Sequence, residues 1–384
     1  MARHITISIR LIVTLCSAVA FAQIASTQTD ATIQNSTVAY VYVSNNNQNT
    51  KAFAAASDGK LTAVSGSPFR TGYVASMAVN AKYLFLTDTV YIYSFSIASD
   101  GAIRKVASIN AQKHNPGSYG GPGILFLDRT GATLYDTDFY CCGDSDAYQF
   151  FNINNSTGKP SYLGVTQATW DYWEPLSFSG NNMYAYASEC SEYSAIFGFQ
   201  RNNDGTLAEL NINPQVPAAP QGYYYCPTLA VTDPTNHVAM ALTPSQGYAS
   251  PQSVPPPPQL ATYTVDASGN LSTTSTRFNM PKTAVKNVTD IEISPSGKLL
   301  AVGGTAGLQV FHFNGSKPIT HYSGLLVNVQ IDQFHWDNSS HLYAISQSAG
   351  KLFVFTITPT SVTQAPGSPY AITKPLNIAV LPRN

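Results

Sequence analysis

The sequence predicts an all-β, seven-bladed β-propeller of four-stranded blades whose ring is closed by the C-terminal strand, and three observations lead to it. Apolar or alternating strand pairs recur around turn glycines Gly59, Gly101, Gly158, Gly205, Gly269 and Gly315, roughly 40 to 65 residues apart. That is the period of a propeller blade. From the second repeat onward, a further short strand precedes each pair. The first repeat has none, yet the chain ends in an unaccompanied strand of the same kind, LNIAVLP at 376–382.

The N-terminus comes before the repeats. Arg3 and Arg10 precede the apolar run LIVTLCSAVAF, and Ala20-Phe21-Ala22 offers a small-residue cleavage site, so 1–22 reads as an export signal that carries Cys16 away. Residues 23–37 are then a short N-terminal segment and 38–384 a single propeller domain. The expected location is secreted or periplasmic. No other apolar run is long enough to span a bilayer, and a monomer is expected. Hydrophobic residues make up 44% of the 384-residue chain and charged residues only 11%, with a net charge of −1. Such a surface has no basic field for phosphate backbones, so nucleic acid is not an expected partner.

The first blade reads from VAYVYVSNNNQNTKAFAAASDGKLTAVSGSPF at 38–69: two strands, an Asp-Gly turn and a third strand. KYLFLTDTVYIYSFSIASDGAIRKVASI at 82–109 repeats the pattern, and AIFGFQRNNDGTLAEL, LATYTVDASGNLSTT and LQVFHFNGSKPITHY centre later copies. Inner strands are expected at 76–80, 123–128, 176–180, 229–233, 290–295 and 332–337, and 376–382 supplies the one missing from blade one. Closure in that way removes an open sheet edge. GSPF at 66–69 and GSPY at 367–370 mark the ends of the first and last blades.

In such a blade, the turns between second and third strands share one face, the top, with the crossings between blades. DTDFYCCGDSD (136–146), SECSEY (188–193) and GYYYCP (222–227) therefore bring Cys141, Cys142, Cys190 and Cys226 to one sector of the top. In an oxidising compartment this clustering reads as two disulfides. A vicinal Cys141–Cys142 bridge with Cys190–Cys226 is the favoured pairing, cross-blade pairings are the alternative, and a thiol metal site is disfavoured.

The same sector is acidic and aromatic. Between 136 and 192, Asp136, Asp138, Asp144, Asp146, Asp171, Glu174, Glu189 and Glu192 face one base, Lys159. Trp170, Tyr172 and Trp173 lie in one crossing and Tyr223, Tyr224 and Tyr225 in the next. Aromatic faces beside carboxylates suit sugar rings and cations. Trp170, Trp173 and Tyr224 are the expected stacking groups, with Asp138, Asp144 and Asp146 as polar or cation-binding groups. Calcium is conceivable there without EF-hand spacing, and otherwise no cofactor is expected. PQSVPPPPQ (251–259) adds a stiff polyproline segment to the top of blade five.

The AYVYVSNN opening, the DGKLT turn and the GSPF ending resemble the YVTN-type, lactonase-like seven-bladed propellers, a group that includes bacterial 6-phosphogluconolactonases. The resemblance spans 38–382 and implies the propeller fold, with lactone hydrolysis at the channel mouth as an implied activity. Catalytic members tend to enter an inner strand through a Pro-His pair. The corresponding entries here are Pro122-Gly123, Pro175-Leu176 and Pro227-Thr228. His114, in a Gly-rich connection, is the remaining candidate general base. His335, in DQFHWD, is placed either facing the channel or packed between blades beside Trp336, with packing favoured. No histidine has metal-ligand spacing, and no nucleophile elbow or phosphate loop is present. The sequence thus favours an exported module that binds a small molecule, glycan or protein through its top face, with a lactonase-like hydrolase as the alternative.

Overall fold

A computed structural model describes residues 36–114, 121–139, 147–167, 174–190, 194–246 and 255–383. They form seven antiparallel sheets, each built on four strands that run outward from a central channel. The inner strands are Pro375–Pro382 (blade one), Ser76–Val79, Gly121–Leu127, Ser177–Phe178, Tyr224–Thr232, Val288–Ile293 and Gln333–Trp336 (blade seven). Apart from the short 3-10 turn Gln112–His114, the described chain contains no helix. No helix among the described residues is long and apolar enough to cross a membrane.

The C-terminal strand closes the ring as the sequence requires. Pro375–Pro382 lies antiparallel to Thr37–Asn45, from Ala39 opposite Pro382 to Asn45 opposite Pro375. On its other side Thr37–Asn45 pairs with Asn49–Ala56, so the two chain ends share one sheet. The two GSP motifs go beyond the expectation. Phe69–Arg70 and Tyr370–Ala371 form short extra strands on the third strands of blades one and seven. Their serines accept from those same strands, Ser67 Oγ from the Ala52 amide and Ser368 Oγ from the Val354 amide, both at 2.9 Å.

The core lies between blades. Strand alternation sends Ala39, Val41 and Val43 into a cluster with Tyr343, Ile345 and Val354 of blade seven, and Tyr40 and Tyr42 into one with Leu84, Leu86 and Phe95 of blade two. The other clusters are likewise shared by neighbouring blades; Phe126, Tyr135 and Phe150 of blade three, for example, meet Phe178, Ala185 and Phe199 of blade four.

The recurrent turn glycines make this packing possible. Each sits between third and outer strands, where the backbone passes directly over the first residues of the preceding blade's second strand. A Cβ on Gly101 would lie 2.4 Å from the Tyr40 ring, and one on Gly158 2.4 Å from that of Tyr83. Gly101 also has φ +87°, a conformation that L side chains rarely adopt.

Gly101→Ala should therefore cost roughly 2–4 kcal/mol, combining backbone strain with a clash in a packed core. Gly72→Ala is the control: its φ is +81° but nothing lies within 4 Å of the added carbon. It should cost only about 1 kcal/mol. Urea unfolding of both variants measures the difference, and equal losses would refute the close-approach account.

Candidate functional site

An inner strand has only one ladder partner, so its channel-side amides need acceptors from elsewhere. Side chains from the preceding blade supply them. Ser76 Oγ accepts from the Leu125 amide at 3.0 Å and Ser177 Oγ from the Thr232 amide at 2.8 Å. Between blades six and seven the acceptors are carboxylates. Asp290 Oδ2 accepts from the Phe334 amide at 2.8 Å, and Glu292 Oε2 from the Trp336 amide at 3.2 Å. Gln333 continues the chain of contacts, its Oε1 accepting from the Ile378 amide at 3.2 Å.

These contacts hold a group of ionisable side chains in the upper channel. His335 Nδ1 lies 3.5 Å from Glu292 Oε2, and the two side chains are 42% and 31% exposed. Both side chains are only partly covered. The sequence reading left His335 either facing the channel or, as favoured, packed between blades beside Trp336. Trp336 is indeed buried at 4% exposure, but the preceding position of the alternating strand turns the imidazole to the opposite side.

Burial pushes the Asp290 carboxyl up to about 7; the His335 cation opposes the rise and Glu292 reinforces it. Glu174, just ahead of the inner strand of blade four, is also pushed up to about 7, by burial first and then by the charges of Asp290 and Glu189. For His335, burial favours the neutral ring, but attraction and hydrogen bonding to Glu292, with attraction to Asp290, hold it above the usual imidazole value. The strongest charges acting on Glu174 and Asp290 are thus those of other acids and of His335, with no lysine or arginine among them. The mouth combines carboxyls that exchange protons near neutrality with a carboxylate-paired imidazole, the equipment of general acid–base chemistry.

The sector singled out in the sequence adjoins this mouth. Cys190 and Cys226 form a disulfide with a Cα–Cα distance of 5.1 Å, joining blades four and five. Tyr224 opens the inner strand of blade five and is 41% exposed, whereas the next phenol, Tyr225, is buried and hydrogen-bonds Gln259. Asp138 lies at the top of the second strand of blade three, opposite Ala147. Its side chain, and Asp144, Asp146, Trp170, Trp173, Cys141 and Cys142, lie outside the described residues. Among the described residues, no group of three or more His, Cys, Asp or Glu is arranged to hold a metal ion.

His114 sits away from the channel. Its ring stacks on Tyr162, in the outer strand of blade three, with centroids 4.1 Å apart. Burial and then the neighbouring Lys113 push its pKa down. The Pro122-Gly123 entry has a steric cause: a Cβ on Gly123 would lie 2.4 Å from the Thr137 carbonyl oxygen. No imidazole fits there without moving the second strand. Asp290 and Glu292 escaped the sequence reading, although DIEISP places two acids at alternate positions of an otherwise apolar inner strand, a period-two signal.

No protein-family model matches the chain, and no curated protein matches it by sequence. In structure the chain is similar to a putative 6-phosphogluconolactonase from Bacteroides fragilis, with a TM-score of 0.64 and 12% identity over 91% of this chain and 99% of that one. It is similar also to the periplasmic gluconolactonase of Pseudomonas aeruginosa, with a TM-score of 0.63 and 13% identity over 90% of this chain and 99% of that one. A functionally unknown protein from Desulfotomaculum acetoxidans has a TM-score of 0.61 and 13% identity, covering 90% and 100%. Identities this low show a shared fold, and a fold hosts many activities.

The raised carboxyl of Glu174 has a consequence for stability. The unfolded chain releases this proton near the ordinary 4.5 and the folded chain near 7, so between those values the folded state holds the extra proton. Stability should therefore fall as pH rises through this window and level off above it. Glu174→Gln should match wild type at pH 4 and exceed it at pH 8 by on the order of 1 kcal/mol. Thermal unfolding at the two pH values tests this. A variant no more stable than wild type at pH 8 would refute it.

Proposed function

We propose that the protein is an exported propeller that holds a small, uncharged or cationic polar molecule in the top mouth of its channel. The observation that carries this reading is the charge of the mouth: Glu174, Glu189, Asp290 and Glu292 with His335 as the counter-charge, the last two side chains partly exposed. A phosphorylated ligand would add negative charge to that set. Repulsion between unit charges 4 Å apart is about 1 kcal/mol in water and about 4 kcal/mol near a protein surface. Tyr224 gives the rim an exposed ring for stacking. Export fits the Cys190–Cys226 disulfide, which persists in oxidising compartments.

Hydrolysis of an unphosphorylated lactone is the second reading. It is favoured by the two carboxyls raised to about 7 and by the gluconolactonase names of structural neighbours. A carboxylate of this kind takes a proton from water as the water oxygen attacks the lactone carbonyl carbon. The ring C–O bond then breaks, and a protonated carboxyl or the imidazolium returns a proton to the leaving oxygen. Such a proton-transfer group contributes typically 10²–10⁴-fold to rate.

Glucono-δ-lactone, its 6-phosphorylated counterpart and glucosamine, offered at fixed pH with calorimetry and hydrolysis as readouts, test both readings. Uncharged and cationic compounds should bind at least about tenfold more tightly than the phosphorylated one, a difference of about 1.4 kcal/mol. Glu292→Gln and His335→Gln should each weaken binding. Preference for the phosphorylated compound, or indifference to both substitutions, would overturn the assignment. Turnover of the lactone, abolished by Asp290→Asn, would establish the hydrolase.

A further inference from the structure

Blade four has an incomplete outer edge. Its outer strand, Leu207–Leu210, stands opposite Arg201 to Gly198 of the third strand, Ser194–Arg201, and no described outer residue stands opposite Ile196. The Arg201 amide donates at 2.8 Å to the carbonyl of Met183, which leads into the second strand, Tyr184–Cys190. Amide direction alternates along a strand, so Phe199, Phe197 and Ala195 also turn their amides to the second strand, while Gly198 and Ile196 turn theirs outward. Gly198 has Leu210 opposite it. Ile196 is only 8% exposed, and its outward amide and carbonyl have no ladder partner among the described residues.

Three other blades have outer strands as short, Leu61–Ala63, Leu271–Ser272 and Ser361–Gln364. In each, the chain returns to cover the rest of the third strand. Phe69 stands opposite Thr50 in blade one and Tyr370 opposite Leu352 in blade seven, and in blade five the Leu260 amide donates to the Pro281 carbonyl at 3.1 Å. Blade four sends its chain elsewhere. After Leu210 it crosses toward blade five, where Ile212 and Val216 pack on the cluster shared by the two blades. A cavity of about 630 Å³ is left, lined by Ile196 and Phe197 of the strand and by Asn211, Asn213 and Pro214 of the crossing.

We propose that this edge, at 194–197, is a docking site for an extended segment of a partner polypeptide, proline-containing and free of acids, which adds to blade four as the strand it lacks. Strand addition of this kind draws affinity from main-chain hydrogen bonds and specificity from alternate side chains. The chain's own returning segments indicate what such an edge accepts. Each has a proline at or beside the paired residue, Pro68, Pro281 and Pro369, and none carries an acid: GSPFR at 66–70, MPK at 280–282 and GSPYA at 367–371. Charge points the same way, because Glu209 is the one charged side chain among the described residues that line the cavity. Residues 23–35 of this chain carry Asp30 and neither a base nor a proline, so they match the edge poorly. Two copies pairing edge to edge would bring together only the short stretch 194–197 of each, whereas stable interfaces take about 20–30 residues a side. The docking edge is the outer one, so the proposal stands apart from the reading of the channel mouth.

The probe is a synthetic peptide, AVSGSPFRTG, which copies residues 63–72 of this chain. Fluorescence anisotropy of the labelled peptide measures binding to the full protein, and hydrogen–deuterium exchange locates it. The expected outcome is saturable binding with a Kd below about 1 mM and slower exchange at 194–197. N-methylation of the peptide's phenylalanine, which removes the amide that would donate to the Ile196 carbonyl, should weaken binding about fivefold or more. Asn213→Trp, at an exposed position of the lining, should fill the cavity and weaken binding at least as much. The methylated peptide tests the same edge on unaltered protein, so a folding defect in the variant leaves the result readable. Absence of saturable binding would overturn the proposal. So would binding that leaves exchange at 194–197 unchanged or that tolerates the methyl group. A dimer in sedimentation whose formation itself protects 194–197 would assign the edge to a second copy and overturn it as well.

Discussion

No blade of this propeller has a core of its own, and the rest of the architecture depends on that constraint. Each sheet presents one face to the blade before it and one to the blade after it, and every hydrophobic cluster among the described residues is shared across a junction. Stability is therefore a property of the closed ring. A gap at any junction would expose two apolar faces. The pairing of Pro375–Pro382 with Thr37–Asn45 converts a linear array into a ring by placing both ends of the propeller in one blade.

The same logic governs the polar groups around the channel. Inner strands cannot satisfy their channel-side amides within their own sheets, so side chains from the neighbouring blade are recruited. Some are hydroxyls, as at Ser76 and Ser177; some are amides, as where Asn377 Nδ2 donates to the Val74 carbonyl at 2.9 Å. Arg129 serves the junction of blades three and four, its Nε donating to the Phe178 and Ser179 carbonyls at 2.7 and 2.8 Å. Where the recruits are carboxylates, a structural stitch also becomes a chemical feature. Asp290 and Glu292 accept backbone amides of blade seven and, through the same fixed positions, set the charge around His335. Site and blade junction thus share residues, and neutral isosteres disturb such a cluster less than truncations do.

The disulfide belongs with these stitches. It lies at the one described junction where a two-residue inner strand leaves the neighbouring strand extending beyond its ladder, beside the acidic mouth. The bond ties the top of that second strand, where Cys190 lies opposite Ser194 in the ladder to the third strand, to blade five.

The fold was legible in the sequence because blades are local objects. Turn glycines such as Gly101, alternating strands such as Thr37–Asn45 and the solitary C-terminal strand each obey short-range rules, and their recurrence revealed the ring. The Cys190–Cys226 pairing was legible too, since both residues map to adjacent top-face positions. The site was only half legible. Glu174, the Asp290/Glu292 pair and His335 lie far apart in the chain and come together only because inner strands from different blades converge on one axis. Whether an alternating strand turns a given residue toward the channel or toward its neighbour depends on its rotation within the finished ring. Composition and spacing carry no record of that rotation, so the closed tertiary structure decided that His335 faces the channel and that His114 does not.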